Sequence, residues 1–120
     1  MKFNFITFMV RDMRKSIVFY RELVDLQIVK RISLAEGEIV FLANDKDETM
    51  LELIEFKKAE KVVTKGMVMS FSAKGKLEEL REKAFALGYS PSEIVERAPK
   101  PKHFTVADPD GIIVEFCALE

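Results

Sequence analysis

The feature that most constrains this chain is that one order of elements is read through twice. Residues 3–10, "FNFITFMV", are aromatic and β-branched and read as a buried strand. Asp12 can cap the helix that follows, "MRKSIVFYRELV", in which Met13, Ile17, Tyr20 and Val24 recur at helical spacing. Asp25 then supplies the left-handed stop. Strands are predicted at 26–33, 38–43 and 49–56, joined through the turn-like stretches "AEGE" and "NDKDE". In the second half, Gly66 to Phe71 reads as a strand. "SAKGKLEELREKAFALG" reads as a helix with Leu77, Leu80, Ala84 and Leu87 on one face and Gly88 as its stop. A Pro-interrupted segment, "YSPSEIVERAPKPK", takes the place of the second strand, and strands at 102–107 and 112–118 complete the unit.

The halves also match in detail. "IVFLANDKDETMLELIEF" lies over "HFTVADPDGIIVEFCAL": Ala43 falls on Ala107 and, with one extra residue in the turn, Glu52 falls on Glu115. A repeat of about sixty residues, each copy β-α-β-β-β, is a statement about fold. The expectation is an α+β protein. One domain, 1–120, would be built from two tandem βαβββ modules, about 1–58 and about 64–120, as a cupped mixed sheet around a cavity with the helices outside.

Composition removes several function classes. No apolar run approaches the ~18 residues of a membrane span, and "MKFNFITFMVRD" lacks the shape of a signal peptide. Nineteen basic and twenty acidic side chains are interspersed, which leaves no footprint for nucleic acid or an anionic membrane. A single cysteine, Cys117, allows no internal disulfide and fits a cytoplasmic protein. One His and one Cys cannot build a zinc site of imidazoles and thiolates.

Two stretches carry a family resemblance. "FITFMVRDMRKSIVFYRELVDLQIVKR", through Asp12, Ser16, Phe19, Tyr20 and Leu23, resembles the opening signature of the vicinal oxygen chelate superfamily. That superfamily contains glyoxalase I, bleomycin-resistance proteins, fosfomycin-resistance enzymes and extradiol dioxygenases. "FTVADPDGIIVEF" resembles its closing signature, with Asp108-Pro109-Asp110-Gly111 as the turn and Glu115 at the place of the last metal ligand. The resemblance covers essentially the whole chain and implies the glyoxalase/bleomycin-resistance fold. It says little about chemistry, because this fold hosts many activities.

Strand alternation assigns the faces. Glu115 shares its face with Ile113 and Cys117, while Val114 and Phe116 point toward the helix. Phe104 and Val106 are the better core residues, which leaves His103 and Thr105 on the face of Glu115. By the repeat, Met50, Glu52 and Ile54 line the cavity in the first half. The resemblance places Phe5 and Met67 inward, with Thr7, Met9 and Met69 of the same parity. The expected ligand-binding set is therefore Phe5, Thr7, Met9, Met50, Glu52, Met67, Met69, His103, Thr105 and Glu115.

In metal-dependent members the resemblance implies four ligands, at positions held here by Phe5, Glu52, Met67 and Glu115. A phenyl ring cannot ligate, and a thioether suits copper(I) rather than nickel, zinc, iron or manganese. The leading expectation is thus a metal-independent protein of the glyoxalase/bleomycin-resistance type, with no cofactor. Its small-molecule ligand would be cationic and partly apolar. The alternative is a lyase, isomerase or dioxygenase that uses a divalent ion (Ni, Zn, Mn or Fe) on Glu52, Glu115 and His103, which are also the catalytic candidates. A third reading is an interaction module with a closed cavity. A homodimer is expected, with neither nucleic acid nor membrane as a partner.

Overall fold

The computed structural model describes residues 1–118, and in it the chain divides into two compact units, Met1–Val63 and Thr64–Glu120. The first runs β1 (Phe5–Met9), α1 (Met13–Val18), a π-helical turn (Phe19–Leu23), β2 (Gln27–Leu34), β3 (Gly37–Ala43) and β4 (Met50–Phe56). Its sheet has the order β1-β4-β3-β2. β1 pairs parallel to β4 and the other pairs are antiparallel.

The helix begins where its capping residue requires. Asp12 is extended and its carboxylate accepts from the amide of Lys15 at 3.1 Å, while Glu55 of β4 accepts from the amide of Met13 at 3.1 Å. Two of the helix's orphan donors are satisfied in this way. The buried stripe, however, is Met13, Ser16, Phe19, Tyr20 and Leu23, with Ile17 and Val24 only half-buried. The turn at Phe19–Leu23 explains the change. Val24 donates to the carbonyl of Phe19, five residues back, so one extra residue enters the turn and the inward face rotates. Phe19 and Tyr20 are then both fully buried, with ring centroids 4.9 Å apart and edge-on. Asp25 ends the segment with φ 65°, as its position predicts.

Gly37 opens β3 with φ 149°, and a Cβ there would stand 1.9 Å from the carbonyl oxygen of Glu55. Only a residue without a side chain lets β3 lie this close to β4.

The second unit runs β5 (Val68–Ser72), α2 (Leu77–Ala86), β6 (His103–Ala107) and β7 (Ile113–Cys117). Its sheet order is β5-β7-β6, again with the first pair parallel. α2 buries Leu77 and Ala84, with Leu80 half-buried; Leu87 lies past its last turn and is exposed, unlike its sequence expectation. The Pro-interrupted segment adds no full strand. It contributes the single bridge Val95↔His103, because Pro91, Pro99 and Pro101 have no amide hydrogen to give a ladder. β6 and β7 are joined by an Asx turn: Asp108 Oδ1 accepts from the amides of Asp110 and Ile112 at 2.8 and 2.9 Å. Gly111 takes the left-handed position with φ 87°. No described helix is long and apolar enough to cross a membrane.

Candidate functional site

The parallel pairing of β5 with β7 brings Ser70 beside Glu115, and the antiparallel pairing of β6 brings Thr105 to its other side. His103 pairs with Cys117 one step along the same face. Alternation thus gathers a carboxylate, a thiol, two hydroxyls and an imidazole on one side of the sheet. Val114, Phe116, Phe104 and Val106 are buried on the other, where the Phe104 and Phe116 centroids lie 5.3 Å apart. The face assignments of His103, Thr105 and Glu115 agree with the strand parity read from the sequence.

Glu115 is only 4% exposed, yet it is fully partnered. Ser70 Oγ and Cys117 Sγ both donate to Oε2, at 2.7 and 2.9 Å. Lys100 Nζ forms an ion pair with Oε1. His103 Nε2 stands 3.9 Å from the same oxygen. The His103 ring is oriented by its other nitrogen, which donates to the carbonyl of Pro101 at 2.7 Å. Burial by itself pushes the Glu115 carboxyl up. The bonds from Cys117, Lys100 and Ser70, with the Lys100 charge, outweigh it and bring Glu115 from 4.5 down to about 2. Burial pushes the Cys117 thiol up, and its bond to Glu115 pushes it further, so it stays protonated and inert. Lys100 is raised by its bond to Glu115.

Glu115 therefore has a cation beside it from within the chain. Lys100, from the loop before β6, is its counter-ion. Neither Lys100 nor Ser70 was singled out from sequence. Ser70 was within reach of the repeat: Thr7-Phe8 in the first half lies over Ser70-Phe71 in the second, each hydroxyl paired with a strand carboxylate. Lys100 sits in an irregular loop, where no periodicity assigns a direction.

The same alignment corrects Met67 and Met69. Met69 pairs with Val114 and is buried with it, on the face opposite Glu115. Met67 precedes β5. Val68, paired with Ile113 two residues before Glu115, holds the place of Phe5, paired with Met50 two residues before Glu52. The sequence reading was one residue out of register, and in a strand one residue exchanges the faces.

In the first unit the expected register stands. Phe5, Thr7 and Met9 on β1 pair with Met50, Glu52 and Ile54 on β4, which places all six on one face. Thr7 Oγ1 donates to Glu52 Oε1, and Phe41 of β3 flanks Glu52 on its other side. The Phe5 and Phe41 centroids are 5.0 Å apart and tilted by 58°. Glu52 is thus half-buried, bonded to a hydroxyl on one side and bordered by an aromatic ring on the other. Phe41 was also missed, although its alternation with Ile39 along β3 points to this face.

A divalent ion requires several donor atoms converging on one point. At the strand positions preceding the two carboxylates stand Phe5 and Val68, which have no donor atom. At Glu115 both oxygens already accept protein hydrogens, one from an ammonium. No group of three or more His, Cys, Asp or Glu side chains able to hold a metal occurs among the described residues. A first-row divalent ion does not fit these donors.

Comparison with solved structures shows the same fold elsewhere. TnmS3, an antibiotic-binding protein from Streptomyces sp. CB03234, matches with a TM-score of 0.74 at 17% identity, covering 98% of this chain and 94% of that one. The trypanothione-dependent glyoxalase I of Leishmania major matches with 0.79 at 20% identity, covering 98% and 86%. The fosfomycin resistance protein FosX from Listeria monocytogenes matches with 0.77 at 16% identity, covering 100% and 94%. A search of curated protein sequences finds no significant match. The family model matches residues 2–116, nearly the full length of the two units, and the chain belongs to the Glyoxalase/Bleomycin resistance protein/Dioxygenase superfamily.

Proposed function

We propose that this chain is a metal-independent small-molecule-binding protein of the glyoxalase/bleomycin-resistance type. The observation that carries this reading is the state of Glu115, the residue at the place of the family's last metal ligand. Its two oxygens are taken up by Ser70, Cys117 and Lys100, and no nitrogen ligand stands at Phe5 or Val68. A carboxylate held by an ammonium does not ligate a divalent ion until that ammonium leaves, which costs the charge-assisted bond.

The first unit supplies the better contact surface. Phe5 is 47% exposed and in ring contact with Phe41, Met50 and Met9 are half-buried on the same face, and Glu52 lies among them. An exposed aromatic and thioether surface around one carboxylate suits a partly apolar cation, held by burial of its body and by charge. Similarity to TnmS3, an antibiotic-binding protein, supports small-molecule binding as a use of this fold. His103, Thr105 and Glu115 contribute the polar face of the second unit.

The reading is tested by thermal-shift and calorimetric screening against amphipathic cations, with and without EDTA. Saturable binding that persists in chelator supports it. Binding that appears only with nickel, zinc, manganese or iron present contradicts it.

A further inference from the structure

Lys100 is not an incidental surface charge. It reaches a carboxylate that is 4% exposed, from an irregular loop joined to β6 by the Val95↔His103 bridge and by the bonds between Ser92 and Thr105. Its own side chain remains 53% exposed. Oε2 of Glu115 is saturated by Ser70 and Cys117, so one oxygen, Oε1, is left to accept a cation. His103 Nε2 faces that oxygen at 3.9 Å, and Thr105, the β6 partner of Glu115, lies on the same face of the sheet. The result is a preformed, single-oxygen acceptor at the end of a buried carboxylate, closed by the tip of the chain's own lysine.

We infer that Glu115, with Ser70, Cys117 and His103 around it, is a subsite for one primary ammonium group that Lys100 occupies from within the chain. A ligand bearing an alkylammonium enters by displacing Lys100, whose exposed stem lets it swing into water with its charge solvated. The exchange is ammonium for ammonium, so charge at Glu115 is conserved throughout and no proton moves. A quaternary ammonium, which has no N–H to donate to Oε1, does not make the exchange. This rests on the metal-independent reading above and names the ligand group that the second unit selects.

The test is chemical rescue. Lys100→Ala opens the subsite, and Lys100→Met opens it while keeping the apolar stem, in case the alanine variant folds poorly. Each variant is melted in propylammonium chloride, tetramethylammonium chloride and sodium chloride at equal ionic strength. The expected result is a lowered melting temperature in both variants, restored in a saturable manner by propylammonium alone. A Lys100→Met/Glu115→Gln double variant should respond to the three salts alike, and wild type, where the tethered Lys100 competes, should need more propylammonium than either single variant. Equal responses to propylammonium and sodium in the single variants overturn the subsite. So does rescue that survives in the double variant. Nickel bound one per chain by the wild type contradicts the metal-independent reading instead, and is read in a separate titration, so the two failures are distinguishable.

Discussion

The ammonium of Lys100 is paired with the carboxylate of Glu115, and Glu115 is the buried member of that pair. A strand carboxylate that opposes burial is thereby kept ionised by a residue fifteen positions earlier in the chain, with Ser70 and Cys117 completing its acceptor needs. The pairing explains how a chain of this superfamily keeps that acid ionised with Phe5 and Val68 at the preceding strand positions.

Replacing Glu115 by Gln removes the charge while keeping the shape. Lys100 then loses its partner, and the Ser70 and Cys117 hydrogens face a weaker acceptor. The expected loss of stability is about 2–3 kcal/mol, in the range for breaking a buried, hydrogen-bonded charge pair. Urea denaturation checks it: a lowered midpoint with an unchanged slope is the expected pattern.

The same carboxylate makes stability pH-dependent. Its folded value lies at about 2, below the ordinary 4.5. The stabilisation is therefore fully present above pH 4.5 and is lost as pH falls through the folded value. Between those limits Glu115 accounts for on the order of 3 kcal/mol. Acid titrations followed by circular dichroism should show wild type losing stability across this window more steeply than Glu115→Gln.

Cys117 should be unreactive in the folded protein. It is buried, its hydrogen is donated to Glu115, and its thiol is raised by both effects. Native alkylation by iodoacetamide at pH 8 is expected to be at least about tenfold slower than in urea. Equal rates would show that the thiol is open to solvent.

Gly37→Ala should damage the first unit. The added methyl would meet the Glu55 carbonyl and force a side chain onto a backbone at φ 149°. A loss of roughly 2–3 kcal/mol is expected. The same substitution at Gly75, where a Cβ meets nothing within 4 Å, should cost less, because only the left-handed φ opposes it.

The architecture was legible because the repeat, the Asp12 cap and the Asp108-Pro109-Asp110-Gly111 turn are each written in local residue types. Strand parity placed Thr105 and Glu115, the repeat placed Glu52, and the resemblance placed Phe5, with Thr7 following by parity, on the faces that the strand pairing gives them. The resemblance failed at β5, where it put Met67, and with it Met69, in place of Val68 and Ser70. Five residues beginning after Gly66 carry too little alternation to fix a register, and the parallel pairing with β7 decides it. The π-helical turn was hidden for a related reason, since apolar spacing around Phe19 and Tyr20 fits two helical registers. Lys100 was out of reach: a loop lysine acquires a direction only from tertiary structure.

The central claim is that this chain holds its family's closing carboxylate with a lysine and works without a metal ion. The most direct measurement is the metal content of wild-type protein purified without chelator and exposed to nickel, zinc, manganese and iron(II), determined by mass spectrometry after gel filtration. The account predicts far less than one ion per chain for every metal. One tightly held ion per chain, lost on Glu115→Gln, would contradict it.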